Sequence, residues 1–215
     1  MSDFKFIPTK QQVEESNIFQ FMKKHDISSL DELSQKAKDD VEWFWESVDK
    51  DIGIVWDSPY TKTLDVSKGI EWSKWFVDGK TNIYKSSVEK FSKSNPKKIA
   101  YHFVSEDGIT SQLSYEELNS KVCKFANALK SLGVKKGDIV AIYLPMVEQA
   151  IITILAASKI GAIQTVIFSG YSSESLHIRL QDCNAKILVV SDGFHRKGKK
   201  ISQKKIIEDA ISNTS

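Results

Sequence analysis

The chain has 215 residues, 41% of them hydrophobic and 27% charged, which is typical of a soluble globular protein. This length suits one large domain or two small ones. Thirty basic and twenty-eight acidic side chains leave a net charge of +2, so the overall charge gives no indication of binding to nucleic acid or to an anionic membrane.

Two features bear on the compartment. The N-terminus reads Met-Ser-Asp-Phe-Lys-Phe-Ile and lacks the apolar run of a secretory signal, and the longest mainly apolar run, residues 150–157, is too short to span a bilayer. Cys123 and Cys183 each lie in or beside an apolar helical pattern, which is typical of small buried thiols, and nothing indicates the oxidising compartment that a disulfide needs. We expect a cytoplasmic protein.

The first part of the chain, up to about residue 90, carries all five tryptophans. Ser28 and Ser29 cap a predicted helix, and residues 42–46 (Glu-Trp-Phe-Trp-Glu) place three adjacent aromatic rings where one narrow helical stripe cannot bury them all. We therefore predict that residues 1–90 form a helical covering layer on something larger. The mostly polar segment 91–98, interrupted by a proline, is the predicted joint. The tryptophans are Trp43, Trp45, Trp56, Trp72 and Trp75.

From residue 99 the pattern becomes α/β. Strands are predicted at 99–104 and 111–113, with Glu106-Asp107-Gly108 as the turn between them. Ser114 and Glu117 fit a capping box that begins a helix, and Gly133 ends it.

Three apolar runs follow, at residues 139–144, 163–168 and 186–190, and they start 24 and 23 residues apart. Helices are predicted between them, at 148–159, stopped by Gly161, and at 172–182. Apolar runs without polar alternation favour parallel strands buried on both faces, so we predict a βαβαβ unit with right-handed crossovers. Ligands of such sheets bind beyond the carboxyl ends of the strands.

The loop after the third strand is rich in cations. Gly193 and Gly198 keep its backbone permissive. Several cations at the carboxyl end of a strand suit a ligand rich in phosphate, although a solvated basic surface before a helix explains them equally well. A nucleic-acid patch is a weaker alternative, because no aromatic platform is interleaved with the lysines. The six cations are Arg196, Lys197, Lys199, Lys200, Lys204 and Lys205.

In the loop after the second strand, Gly170 would let a ligand approach the backbone and the following helix N-terminus closely; a simple tight turn is the alternative. Gly79-Lys80-Thr81 resembles the end of a P-loop, but Lys74 stands where that motif needs glycine. The four histidines lack metal-ligand spacing, and no dinucleotide fingerprint or nucleophile–base pair is present. The residues alone predict an α/β unit with a candidate anion site, no catalytic residue and no metal ligand.

Residues 133–146 (Gly-Val-Lys-Lys-Gly-Asp-Ile-Val-Ala-Ile-Tyr-Leu-Pro-Met) closely resemble AMP-forming acyl-CoA synthetases of the adenylate-forming superfamily, as do 113–118 and 159–174. Residues 75–82 (Trp-Phe-Val-Asp-Gly-Lys-Thr-Asn) and the Trp43–Trp45 segment are similar to the acetyl-CoA synthetase branch. The resemblance implies that residues 1–90 are that branch's N-terminal covering segment. Residues 91–215 would be the first part of the AMP-binding domain, ending before the loop that holds the ATP phosphates.

Residues 191–199 resemble the family's coenzyme A loop. The resemblance implies that Arg196 and Lys199 contact the phosphates of coenzyme A, with Lys197 and Gly198 between them. Lysine at the second position keeps the charge but loses the arginine fork that is common in the family. Phe168 and Gly170 match the Phe-Gly-Gly-Phe stretch beside the pantetheine arm, whereas Ser169 departs from it.

The implied activity is that of an acid–thiol ligase, which activates a short, acetate-like carboxylate with ATP and transfers the acyl group to coenzyme A. ATP and Mg²⁺ are expected only for the full-length enzyme, so the isolated chain is predicted to be inactive. The expected partners are coenzyme A, the acid and the missing C-terminal portion, with no nucleic acid and no membrane. Two alternatives stay open: a non-catalytic module that binds coenzyme A or a partner chain, and a non-functional remnant with an exposed sheet edge.

Overall fold

The structure is a computed structural model that describes residues 6–106 and 108–212. The chain divides into two compact units between Lys80 and Thr81. Each unit has a hydrophobic core of its own. No helix in the described part is both long enough and apolar enough to cross a membrane.

The first unit is helical at its start and becomes strands after residue 55. Its core consists of Phe21, Met22, Ile27 and Leu33. Strands β2 and β3 form an antiparallel hairpin. The elements are α1 (Lys10–Glu14), α2 (Asn17–Lys24), α3 (Leu30–Asp39), α4 (Val41–Ile52), β1 (Trp56–Ser58), β2 (Lys62–Asp65), a 3₁₀ turn (Ile70–Trp72), β3 (Lys74–Val77) and β4 (Lys80–Thr81), which straddles the division.

Two of the five tryptophans, Trp43 and Trp45, lie on the α-helix α4. The other three lie in β1, in the 3₁₀ turn and in β3. On α4 the two rings point to different neighbours: the Trp43 ring centre is 6.3 Å from that of Phe21, and the Trp45 ring centre is 5.9 Å from that of Trp75 in β3. The hairpin thus contributes the second apolar surface that three adjacent aromatic residues require.

The second unit begins with a π-helical turn and a short helix, whose buried Tyr84 and Val88 belong to the core of this unit. Both cysteines of the chain lie here as partly buried free thiols. The elements are the π-turn (Lys85–Glu89), α5 (Lys90–Ser94), β5 (Ile99–Val104), β6 (Thr110–Ser114), α6 (Tyr115–Ser131), β7 (Ile139–Tyr143), α7 (Glu148–Ile160), β8 (Ile163–Val166), α8 (Ser173–Cys183), β9 (Ile187–Val190), β10 (Gly193–Arg196), β11 (Lys199–Ser202) and α9 (Lys204–Ile211).

The predicted parallel sheet is confirmed. Strands β8, β7 and β9 lie side by side in that order and run parallel, with Ala141 opposite Thr165 on one side and Leu188 on the other. Val140 and Ile142 pack with α6 and α7, whereas Ala141 and Tyr143 pack with α8 and α9. This alternation places a helical layer on each face of the central strand.

The prediction that the second strand is buried is wrong for this chain. In β8, Ile163 is 54% exposed and Val166 62%. Among the described residues, β8 has a hydrogen-bonded neighbour only in β7, so it is an edge strand. An apolar run shows that a strand can be covered, but not that the covering element is present.

The local predictions for α6 and α7 are confirmed. The hydroxyl of Ser114 accepts a bond from the Glu117 backbone N–H, and the Glu117 side chain accepts one from the Ser114 backbone N–H, which completes the capping box. Gly161 ends α7 with a φ of 74°. Of the predicted turn between β5 and β6, Asp107 lies outside the described residues.

Candidate functional site

The loop after the third parallel strand is an ordered hairpin. Strands β10 and β11 pair antiparallel, with Gly193 opposite Ser202 at the base and Arg196 opposite Lys199 at the end. Lys197 and Gly198 form the two-residue connection, with φ of 51° and 70°. Positive φ at both central residues is typical of a type I′ turn, whose twist matches that of the strands. The loop whose backbone the sequence described as permissive is therefore a paired β-hairpin.

The hairpin also separates the run of cations. Directly paired residues project from the same face of a ladder, so Arg196 and Lys199 share one face. His195 and Lys200 are paired one position further from the turn and share the other face. Lys204 lies on α9, where its ammonium is 3.9 Å from the carboxylate of Glu208. Two of the six cations are thus presented together, exposed on either side of the turn.

Three of the predicted site residues meet on one side of this hairpin. The Arg196 guanidinium carbon lies 5.7 Å from the centre of the Phe168 ring. A Cβ added to Gly170 would lie 3.1 Å from a guanidinium nitrogen of Arg196 and 2.5 Å from a Phe168 ring carbon. Gly170 thus lets the Phe168 ring and Arg196 approach the backbone closely. Lys197, Gly198 and Lys199 lie beyond Arg196, at the hairpin end.

The loop that carries Phe168 is held in place by its own contacts. The Tyr143 hydroxyl donates to the Tyr171 carbonyl at 2.7 Å. The Phe168 and Tyr171 rings are edge to face with centres 5.6 Å apart, and the Arg179 guanidinium lies 4.3 Å from the centre of the Tyr171 ring. These contacts hold a tight turn, which is one of the two interpretations that the sequence offered for Gly170, and the approach of a ligand to this backbone stays a prediction.

A cavity of about 1020 Å³ opens at the carboxyl end of the parallel sheet, beside the hairpin. Its walls are mainly apolar, and Glu106 and Arg196 contribute their charged side chains to its lining. Large pockets with few polar groups at this edge of an α/β sheet are the usual ligand sites of such folds. The apolar lining includes Val104, Ile109, Phe125, Met146, Val147, Ile152, Phe168, Val189 and Phe194.

Glu106 belongs to the site although the sequence identified it only as part of a turn. Its carboxylate accepts a hydrogen bond from the backbone N–H of Lys197, in the hairpin turn. The two residues are 91 positions apart in the chain, so no local pattern could join them. A carboxylate at this turn places a negative charge beside the cations that were predicted to bind phosphate.

Gln203 is the second site residue that the sequence did not reveal. It is 0% exposed, and its side-chain amide donates to the Ser169 carbonyl at 3.0 Å. The side-chain oxygen accepts a bond of 2.6 Å from the Ser191 hydroxyl. Gln203 therefore joins the loop after β8 to the loop after β9. A lone glutamine next to lysines gives no local signal of burial.

Comparisons with known proteins agree with this architecture. The family model described as "AMP-binding enzyme" matches residues 88–214, and that described as "Acetyl-coenzyme A synthetase N-terminus" matches residues 30–86. The solved structure of acetoacetyl-CoA synthetase from Streptomyces lividans superposes with a TM-score of 0.85, covering 94% of this chain and 32% of that one. At 24% identity, this likeness shows the fold.

The curated relatives that match this chain are described as acetyl-coenzyme A synthetases. Acetyl-coenzyme A synthetase of Methanothrix thermoacetophila is 41% identical over 203 residues, which is 94% of this chain and 30% of that protein. The Laribacter hongkongensis protein of the same name is 37% identical, over 86% of this chain and 28% of its own length. The chain thus spans about 30% of the first of these relatives. Because one family model alone matches more than half of its residues, the chain belongs to the family of AMP-binding enzymes.

Proposed function

We propose that the chain is the N-terminal part of an acid–thiol ligase that makes an acyl-CoA from a short, acetate-like carboxylate. In the whole enzyme, a carboxylate oxygen would bond to the α-phosphorus of ATP as pyrophosphate leaves. The sulfur of coenzyme A would then bond to the acyl carbon as AMP leaves. The support is the match of both family models in order along the chain and the relatives named acetyl-coenzyme A synthetase.

Within that reaction, we assign to this chain the binding of coenzyme A. The observation that carries the assignment is the meeting of Arg196, Phe168 and Gly170 at the carboxyl end of the sheet. Arg196 and Lys199 would receive the phosphates, because charge-assisted contacts to phosphate are strong and Arg196 can bind two oxygens at once. The cations are exposed, so each contact is expected to contribute about 1 kcal/mol.

The rest of the ligand fits what surrounds the cations. Phe168 offers an aromatic face next to Arg196, Gly170 lets that ring lie close to the backbone, and Lys197 and Gly198 allow phosphate oxygens to approach the turn. Phe168 and Arg196 also line the apolar cavity, so an arm of low polarity, such as pantetheine, could enter it from there. We assign no catalytic role to any residue of this chain.

A second function, a coenzyme A-binding module without catalysis, is favoured by one observation. Every residue that lines the cavity lies between Val104 and Arg196, inside the second unit. A module of this kind would bind coenzyme A through the second unit. The two functions differ in whether this chain completes an active enzyme.

Calorimetric titration of coenzyme A into the 215-residue chain tests the shared part of both functions. We expect saturable binding that weakens as salt is added, because the phosphate contacts are exposed. Adenosine 3′,5′-bisphosphate, which keeps phosphates but lacks pantetheine, should bind more weakly. If the affinity depends neither on the salt concentration nor on the phosphate groups of the ligand, the assignment of coenzyme A binding to this chain is contradicted.

A chimeric protein distinguishes the ligase function from that of a non-catalytic binding module. In it, this chain replaces the matching part of the Methanothrix thermoacetophila relative. Coenzyme A-dependent synthesis of acetyl-CoA by the chimera would support the ligase. A folded chimera that forms the adenylate but never the thioester would contradict the role we assign to this chain.

A further inference from the structure

Gln203 is a buried polar residue whose side-chain nitrogen, side-chain oxygen and backbone N–H are each hydrogen-bonded. Besides the two side-chain bonds to Ser169 and Ser191, its backbone N–H donates to the Asp192 carbonyl at 2.8 Å. The residue stands at the junction of β11 and α9, directly after the hairpin. It therefore contacts both of the loops that carry the proposed coenzyme A site.

Filling space does not require a glutamine. A methionine or leucine has a similar volume and enters a core without the cost of removing an amide from water. A buried amide is tolerated when its bonds are made, and such bonds are directional. What Gln203 adds beyond volume is a fixed distance between the Ser169 carbonyl and the Ser191 hydroxyl.

That distance controls the arrangement of the site. Ser169 lies between Phe168 and Gly170, the two residues against Arg196. Ser191 leads into β10, the strand that ends at Arg196. A change in the separation of the two loops would move the Arg196 guanidinium relative to the Phe168 ring and to the backbone at Gly170.

We propose that Gln203 is a positioning residue for coenzyme A, which acts by tying the Phe168 loop to the base of the hairpin that presents Arg196. The proposal rests on the proposed function, since it concerns the same site. Gln203 does not touch the ligand. It holds the two surfaces between which the ligand would lie.

The test is a double-mutant cycle on coenzyme A binding, measured calorimetrically with the 215-residue chain. Gln203→Met should weaken binding by about three- to ten-fold, because two hydrogen bonds that hold the site are lost. In a chain that already carries Arg196→Ala, the same change should have an effect of less than about two-fold, since the surface being positioned is gone. Tyr84→Phe is the matched control, because it removes a different buried polar group of the same unit, a hydroxyl that donates to the Asn119 side-chain oxygen.

A second readout follows the loop itself. The Tyr171 backbone N–H donates to the Phe168 carbonyl at 3.1 Å, and its hydrogen exchange should be faster in Gln203→Met and unchanged in Tyr84→Phe. Gln203→Glu keeps the acceptor for Ser191 but loses the donor to Ser169. It should behave like Gln203→Met, and it provides a polar variant if the methionine variant does not fold.

The outcomes separate the two proposals. If the unsubstituted chain does not bind coenzyme A, the proposed function fails and this inference fails with it. If the chain binds and Arg196→Ala weakens binding, the function stands, and unchanged affinity in both Gln203 variants would overturn the positioning role alone. Equal losses with and without Arg196, or an equal loss in Tyr84→Phe, would show a general loss of stability and would also overturn it.

Discussion

The guanidinium carbon of Arg196 lies 5.7 Å from the centre of the Phe168 ring, although the two residues belong to different loops of the sheet. The contact joins a cation at the end of one hairpin strand to an aromatic ring in the loop between β8 and α8. Stacking of this kind restricts the long arginine side chain, so less freedom is lost when a phosphate binds. This arrangement underlies the first prediction.

Arg196→Ala in the chimera should raise the Michaelis constant for coenzyme A by roughly five- to thirty-fold, because the guanidinium can make two contacts of about 1 kcal/mol each and about 1.4 kcal/mol is a factor of ten. The rate of acetate-dependent pyrophosphate exchange should change little, since adenylate formation precedes entry of coenzyme A. Lys199→Ala should act in the same direction but less, as a single point charge. Lys93→Ala, which removes a cation that pairs with Glu89 at 3.7 Å, is the control.

The assignment would be wrong if Arg196→Ala and Lys199→Ala slowed adenylation and left the coenzyme A dependence unchanged. The hairpin would then be a structural element. Steady-state kinetics with varied coenzyme A and pyrophosphate exchange, measured on the same preparations, distinguish the two cases.

Glu106→Gln should strengthen the binding of coenzyme A to the 215-residue chain. The carboxylate accepts a bond from the Lys197 backbone N–H and repels phosphate at the same turn. Removing the charge keeps a similar shape and an acceptor oxygen, so we expect an affinity gain of about two- to five-fold at low salt, which shrinks as salt is added. Calorimetric titration at two salt concentrations measures it. Weaker binding of coenzyme A by Glu106→Gln would show that the carboxylate matters more for holding the turn than for repelling the phosphate.

The 215-residue chain alone should not exchange pyrophosphate into ATP with acetate or another short acid. Its sequence contains no glycine-, serine- and threonine-rich loop that ends in lysine, and developing charge on the phosphates needs such fixed donors. Incorporation of labelled pyrophosphate is the measurement, with the chimera as the positive control. Saturable exchange by the pure chain would place an ATP site within these residues.

The pH dependence of stability should include Asp138. Its bonds from the Lys186 ammonium, at 2.7 Å, and from the Lys135 backbone N–H lower the pKa of Asp138 below its ordinary value. A lowered pKa stabilises the fold at pH values above that of the unfolded carboxyl, about 3.9, and the contribution is lost as pH falls through the folded value. Asp138→Asn should therefore lower the free energy of unfolding at pH 7.

The same substitution should make less difference near pH 3, below the ordinary pKa of the unfolded carboxyl, where the stabilisation by the charge is being lost. Urea unfolding at the two pH values measures both differences. Asp182→Asn, at an exposed position on α8, is the control and should have little effect at either pH. A penalty for Asp138→Asn that does not depend on pH would show that its hydrogen bonds matter and its charge does not.

The sequence by itself determined the local elements and the family. Caps such as Ser114 with Glu117, the helix end at Gly161 and the three apolar runs depend on residues within a few positions of one another, and short-range chemistry decides them. It also predicted the cations of the proposed coenzyme A site, since Arg196 and Lys199 lie in the segment 191–199 that resembles the family's coenzyme A loop. That residues 1–90 cover the sheet, and that the domain boundary falls at residue 90, stay predictions.

The tertiary structure decided which of these residues act together. Glu106 meets Lys197 across 91 positions, and Gln203 joins two loops that no periodicity connects. The exposure of β8 also depends on which strands are present beside it and not on its own apolar residues. Burial and pairing are properties of the neighbours that a residue acquires on folding, whereas a local pattern records only what the residue can tolerate.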